Sequence, residues 1–200
     1  LLLEEGPNDY SAVWLDLSGI EPDSAGQLQA VRSADLTALL EGVPDDPDEL
    51  CLTGLQVSRT GDVLGLFNDP GECSSQTQGV PGVFVADVAG GSARAVTAVG
   101  QAVGGVFIRQ GGSPADDDVL HFLDGGIQSV RLNSVELPDG TVPADPPAFA
   151  QDSDNPEPLE LTFTDGAFTA LQPSRVQKLA DGTPQTLTLP SGFQAGMVIA

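Results

Sequence analysis

The residues best suited to chemistry in this sequence are acidic side chains clustered at 45–49, 116–118 and 152–157. Calcium takes several carboxylate and carbonyl oxygens from a flexible loop, so such clusters are candidate calcium sites. The candidate ligands are Asp116, Asp117, Asp118, Asp152, Asp154 and Glu157. The alternative is that these acids are solvated turn residues that keep the protein soluble. Calcium is the only cofactor that the sequence suggests.

The two cysteines, Cys51 and Cys73, are 22 positions apart. A small, even number of cysteines is typical of a structural disulfide formed in an oxidising compartment. We therefore predict a Cys51–Cys73 disulfide, and two buried thiols are the alternative.

The single histidine, His121, lies in an alternating run between Val119 and Leu123. A histidine base needs a nucleophile within reach, and the sequence contains no Gly-x-Ser-x-Gly turn that would present one. His121 is therefore interpreted as a packed or half-exposed strand residue. No catalytic residues are predicted, and the sequence favours a protein that is not an enzyme.

The charge balance excludes two classes of partner. Seven Lys and Arg residues stand against 29 Asp and Glu, which gives a formal net charge of −22. Such a chain offers no basic surface to nucleic acid or to an anionic membrane, and no apolar run is long enough for a transmembrane helix. The expected partner is a protein. The acidic surface and the predicted disulfide indicate an extracellular, periplasmic or cell-surface location.

Alternation of apolar and polar residues dominates the chain and predicts an all-β fold. At 10–18, Val13 and Leu15 share one face, while Ala12 and Trp14 share the other. Similar segments lie at 52–58, 63–67, 83–88, 93–99, 103–109, 119–123, 127–132, 159–164, 167–171 and 185–189. Turns rich in Gly and Asp separate them. One short connector helix is predicted at 34–41, with Ser33 as its N-cap and Gly42 as its end.

A strand–turn–strand pattern recurs along the chain, with copies that start near residues 1, 63, 119 and 159. Tandem copies of short strands are typical of a β-propeller, in which each copy forms one antiparallel blade. A β-sandwich is the alternative architecture for the same alternation.

The segment 55–69 resembles one blade of the TolB-like and dipeptidyl-peptidase-type β-propellers. Ser58 and Gly61 match the Ser-Pro-Asp-Gly turn of those blades, although Arg59 and Thr60 replace its central Pro-Asp, and 87–91 matches a later strand end. The resemblance is best over 52–100. It implies four-stranded blades, of which this chain would hold about four.

Residues 138–158 interrupt the pattern with six prolines among acidic residues, and central strands do not tolerate proline. We predict a surface loop or linker there. The domain organisation is then propeller-like blades over 1–137, the loop or linker over 138–158, and a further blade or the start of a new unit over 159–200. Because both ends of the sequence are apolar, we expect it to be a segment of a longer chain.

The favoured function is a non-enzymatic interaction or structural module of a secreted or cell-envelope protein, which binds a protein partner through the loops 69–82 and 138–158. The resemblance permits a second function, the propeller part of a larger peptidase-like hydrolase whose catalytic domain lies outside this segment. A calcium-dependent surface-layer or envelope component is a third.

Overall fold

The computed structural model describes most of the strands and fewer of the loops. The described residues are 2–5, 9–16, 18, 29–43, 50–73, 81–97, 102–109, 118–126, 129–144, 146, 148–150, 160–164, 167–172, 175–180, 183–188 and 190. Within these ranges the chain forms fifteen β-strands and two single-turn helices. The strands assemble into four small antiparallel sheets, so the prediction of an all-β fold is confirmed.

Each sheet is a meander in which every strand pairs with the next one in the sequence. Sheet 1 contains β1 (Leu2–Glu5), β2 (Tyr10–Asp16) and β3 (Gln29–Asp35). Sheet 2 contains β4 (Leu52–Val57), β5 (Val63–Asn68), β6 (Gly82–Asp87) and β7 (Ser92–Ala95). Sheet 3 contains β8 (Ala102–Arg109), β9 (Val119–Gly126), β10 (Ser129–Glu136) and β11 (Ala148–Ala150). Sheet 4 contains β12 (Glu160–Thr164), β13 (Ala167–Gln172), β14 (Arg175–Ala180) and β15 (Thr183–Thr188).

The strands β5 and β6 of sheet 2 are apolar on both faces. Leu64 and Leu66 lie on one face with their cross-strand partners Ala86 and Phe84, and all four are buried. Val83 and Val85 are buried on the opposite face. A strand with two buried faces reads as a continuous apolar run rather than as strict alternation, which explains the sequences Val-Leu-Gly-Leu-Phe and Val-Phe-Val-Ala.

Sheet 2 lies between two separate hydrophobic cores. Its Leu64 face packs against Tyr10 and Ala12 of sheet 1, together with Leu36 and Leu40 from the connection that follows β3. Its Val83 face packs against residues of sheet 3, which are Leu120, Phe122 and Val135. Burial of each large apolar side chain contributes about 1.5–3 kcal/mol. Sheets 1, 2 and 3 are therefore stacked face to face in the order of the sequence.

The connector helix is shorter than the sequence predicts. Helix α1 spans Leu36–Leu39, and Asp35 is its N-cap because the Asp35 carboxylate accepts a hydrogen bond from the Ala38 N–H at 2.9 Å. Ser33, the predicted N-cap, lies inside β3, where it pairs with Val13 of β2. Pairing with β2 extends the strand as far as Asp35, and this delays the helix. A second helix, α2 (Pro70–Cys73), follows β5.

Three other features of the chain differ from the predictions made from the sequence. Strand β14 lies outside all the predicted strands, and the segment 138–158 contains β11, which pairs with Ser129–Arg131 at the edge of sheet 3. The predicted copies also begin at different places in the sheets. The copies near 1 and 159 begin at β1 and β12, the first strands of their sheets, whereas the copies near 63 and 119 begin at β5 and β9, the second strands of theirs. Among the described residues, no helix has the length and apolar character needed to cross a membrane.

Candidate functional site

An arginine and a turn aspartate connect sheets 1 and 2. The Arg32 guanidinium of β3 donates to Asp62 Oδ1 at 2.6 Å, and Asp62 ends the turn that leads into β5. The same guanidinium lies 4.7 Å from the centre of the Trp14 ring on the neighbouring strand, in a cation–π arrangement. Both charged groups are more than one-third exposed, so water weakens the ion pair, and its main effect is to orient the two sheets.

A similar pair connects sheets 2 and 3. Asp118 directly precedes β9, as Asp62 directly precedes β5, and both begin the sequence Asp-Val-Leu. The main-chain N–H of Arg59 donates to Asp118 Oδ2, and the Arg59 guanidinium lies 3.8 Å from Asp118 Oδ1. Asp118 is the less exposed of the two acids, with a side chain 10% exposed.

This geometry bears on the predicted calcium ligands. Of the six candidates, Asp118 uses both of its carboxylate oxygens toward Arg59. Asp116, Asp117, Asp152, Asp154 and Glu157 lie outside the described residues. Within the described ranges, no group of three or more His, Cys, Asp or Glu side chains is placed to hold a metal. Calcium binding stays a prediction.

A third arginine holds the start of the Pro-rich segment against sheet 2. Arg94 of β7 donates from Nε to the Pro138 carbonyl oxygen at 3.2 Å and from Nη2 to the same oxygen at 2.8 Å. Its Nη2 also donates to the Gly140 carbonyl oxygen at 2.7 Å. The segment 138–144 connects toward β11 of sheet 3, so Arg94 joins two sheets through main-chain acceptors.

The main chain that accepts the Arg94 hydrogen bonds forms a tight turn after β10. Leu137 is buried, and its N–H donates to the Asp118 carbonyl at 2.8 Å. The Gly140 N–H donates to the Glu136 carbonyl at 2.7 Å, and a Cβ at Gly140 would lie only 2.4 Å from that oxygen, so this turn requires glycine. Val142 then packs against the core between sheets 2 and 3.

A shallow cleft separates this turn from sheet 2. It is lined by Val85, Asp87, Ser92, Ala93, Arg94, Pro138 and Asp139. The Arg94 guanidinium donates to carbonyl oxygens, whereas Asp139 and nearby Glu136 are exposed to solvent. Asp87 is half-buried and accepts a hydrogen bond from the Gly90 N–H at 2.8 Å. The surface around the cleft therefore presents carboxylates, which suit a partner that carries Lys or Arg side chains.

His121 is buried, as expected of a packed strand residue. Its side chain is on β9, and its Nδ1 atom lies 2.8 Å from Ser134 Oγ on the paired strand β10. A serine next to a histidine resembles part of a nucleophilic pair. However, His121 is only 8% exposed, so little of its ring is open to a substrate. This hydrogen bond therefore links two strands.

Cys51 is buried next to the start of α2. Its N–H donates to the Asn68 side chain, and its carbonyl accepts from the Asp69 N–H at 2.8 Å, directly before α2. Helix α2 ends at Cys73. The backbone thus brings the start of α2 to Cys51. The Cys73 side chain lies outside the described side chains, so the Cys51–Cys73 disulfide stays a prediction.

Two hydrogen bonds from Ser18 act on the Asp16 carboxylate. The Ser18 hydroxyl and then the Ser18 N–H hold the pKa of fully exposed Asp16 below its ordinary value, and the N–H donates to Asp16 Oδ1 at 2.8 Å. Both hydrogen bonds stabilise the charged form of the acid. Asp16 lies at the end of β2, so this interaction stabilises a turn.

The contacts of Arg32, Arg59 and Arg94 were not predicted from the sequence, because each acceptor lies 30 or more positions away along the chain. The repeated Asp-Val-Leu at 62–64 and 118–120 is the signal from which the acceptor positions of Arg32 and Arg59 could have been found.

Comparisons of this chain with protein-family models, with curated proteins and with solved structures found no match.

Proposed function

We propose that this chain is a row of propeller-type blades that serves as a non-enzymatic protein-binding module of a secreted or cell-envelope protein. The observation that carries the proposal is the stacking of sheets 1, 2 and 3. Each is a meander packed face to face on the next one in the sequence, and arginines hold both junctions. A propeller is built from such meanders arranged around an axis.

The proposed binding surface is the segment 138–144, which we call the docking segment. Pro138, Asp139, Thr141 and Pro143 are exposed within it, while the flanking Leu137 is buried. A rigid scaffold that holds an exposed loop is the usual arrangement for protein recognition. The second predicted binding loop, 69–82, begins at Asp69 and α2, next to the buried Cys51.

The proposed partner is a protein whose contacting surface is basic. The chain has a formal net charge of −22, and the docking segment lies beside Glu136 and Asp87. Complementary charge accelerates the encounter of two proteins and disfavours acidic competitors. Binding through this surface should therefore weaken as the salt concentration rises.

A crosslinking experiment tests the proposal. Carbodiimide joins carboxylates to lysines, and it is applied to the protein in an envelope fraction of its source cells, followed by mass spectrometry of the linked peptides. We expect a crosslink that maps to 138–144 or its neighbour Glu136, and we expect Asp139→Lys to abolish it. Glu41→Lys is the matched control, because Glu41 is also an exposed acid but lies after α1.

The control variant should retain the crosslink. Crosslinks that avoid the docking segment, or that are lost equally in Asp139→Lys and Glu41→Lys, would show that the binding surface is elsewhere.

A further inference from the structure

We propose that Arg94 is a positioning residue that fixes the docking segment in its binding shape from the neighbouring sheet. The inference rests on the proposed function for the role of 138–144, but the contact itself is independent of any partner. Arg94 belongs to sheet 2, whereas the docking segment leaves sheet 3 after β10. The geometry of the binding surface then depends on a residue outside it.

The contacts of Arg94 are suited to holding a backbone. Its three hydrogen bonds of 2.7–3.2 Å all end on carbonyl oxygens, at Pro138 and Gly140. Because main-chain atoms accept these bonds, the side chains of the segment remain available to a partner. The planar fork of a guanidinium can reach two carbonyls at once, which an ammonium group cannot do in the same geometry.

Among the described residues, the docking segment has other anchors near its two ends and at Gly140. Leu137 is buried before it, and Val142 packs against the core near its end. Between these two points, the Gly140 N–H donates to Glu136, and Arg94 supplies the remaining contacts described above. Removal of the guanidinium should therefore loosen residues 138–141 and leave the core in place.

The chemistry of the contact predicts that loss of Arg94 is tolerated by the rest of the fold. The Arg94 bonds to Pro138 are exposed to solvent, and the bond to Gly140 is partly buried, so water can replace the lost donor at least at the Pro138 carbonyl. A lost hydrogen bond that water replaces has a small net effect on global stability. Local opening of the segment, by contrast, is governed by these few contacts.

Amide hydrogen exchange measured by NMR tests the inference on the full chain. We expect Arg94→Ala to accelerate exchange of the Gly140 N–H about tenfold, while the amides of β5 and β6 exchange at the wild-type rate. Arg94→Lys should give an intermediate acceleration. Arg32→Ala is the matched control, because it removes the same charge from the equivalent edge strand of sheet 1, far along the chain from the docking segment.

The control should leave the exchange of Gly140 unchanged. An Arg94→Ala effect on Gly140 below about twofold, or one matched by Arg32→Ala, overturns the inference. Acceleration throughout β5 and β6, or failure of Arg94→Ala to fold, also overturns it, because Arg94 would then serve the whole fold.

Partner binding provides a second readout that separates the two proposals. If the wild-type protein crosslinks through 138–144, Arg94→Ala should lose most of that crosslink and Arg94→Lys should recover part of it. Retention of the full crosslink by Arg94→Ala overturns the positioning role. If the wild type forms no crosslink there, the proposed function fails, and the exchange experiment still decides whether Arg94 fixes the segment.

Discussion

Gly65 provides the sharpest test of the stacking of sheets 2 and 3. A Cβ atom added at Gly65 would lie 2.5 Å from Leu120 Cδ1 and 3.5 Å from Ile108 Cδ1. Leu120 is fully buried, so its methyl group has little room to move. Overpacking of this kind destabilises the folded protein by about 1–3 kcal/mol. Alanine also lowers the conformational entropy of the unfolded chain relative to glycine, which stabilises the folded protein by about 0.4–1 kcal/mol. We expect Gly65→Ala to lower the free energy of unfolding by about 1–2 kcal/mol.

Urea denaturation measures this change. With a slope of about 2 kcal/mol per molar urea, the midpoint should fall by about 0.5–1 M. Gly82→Ala is the control, because Gly82 is also buried in sheet 2, but its added Cβ would meet its nearest atom at 3.6 Å, an ordinary contact. Its midpoint should not fall and should rise by about 0.2–0.5 M, because the gain of about 0.4–1 kcal/mol from the unfolded chain is not offset by overpacking.

A double-mutant cycle locates the effect. Leu120→Ala alone should cost about 2–5 kcal/mol, but it removes the atom that Gly65→Ala would strike. The double variant should therefore be more stable than the sum of the single changes predicts, by at least about 1 kcal/mol. Equal midpoints for Gly65→Ala and wild type, or strictly additive changes, would refute the close approach of the two sheets.

Three further predictions concern other parts of the chain. Neither polar atom of the fully buried Asn133 amide has a hydrogen-bond partner within the described residues. Asn133→Val should therefore raise the free energy of unfolding, measured by urea denaturation, by about 1–2 kcal/mol, and a lower free energy of unfolding would contradict this. Intact mass spectrometry with and without reductant should show a gain of about 2 Da on reduction of the Cys51–Cys73 disulfide, whereas an unchanged mass would exclude it. Ser18→Ala should raise the pKa of Asp16 in an NMR titration, because it removes the hydroxyl hydrogen bond, the larger cause of the lowered pKa, and leaves the N–H donor in place. The Asp16 interaction stabilises the folded form above the ordinary pKa of the acid and is lost as the pH falls through its lowered pKa; an unshifted titration in the variant would contradict the assignment.

The sequence predicts the strands of sheet 2 well because their physical signal is strong. Val63, Leu64 and Leu66 form an apolar run between two turns, and all three are buried. Strand β14 carries the opposite pattern, since Gln177 is buried there while neighbouring Lys178 is exposed. Gln177 Nε2 donates a hydrogen bond to Thr186 Oγ1 on the paired strand. A buried residue that is polar adds nothing to the apolar pattern from which strands are predicted.

The candidate site was less predictable because its residues meet only after the strands have paired. Arg94 and Gly140 are 46 positions apart, and main-chain carbonyl acceptors leave no mark on residue type. The helix start shows the same limit on a smaller scale. Ser33 and Asp35 are both good N-cap residues, and only the pairing of β3 with β2 decides between them.

The position of sheet 2 between two cores has a consequence for how the protein unfolds. Sheet 1 shares the Leu64 core with sheet 2, and sheet 3 shares the Val83 core with it. In such a linear array, stability is a sum of terms within units and between nearest neighbours. Sheet 2 can open only by breaking both of these contacts, whereas sheet 1 breaks the one core that it shares with sheet 2. Protection should therefore be greater in sheet 2 than in sheet 1, and a nascent chain can gain stability stepwise as each newly synthesised unit settles on the one before it.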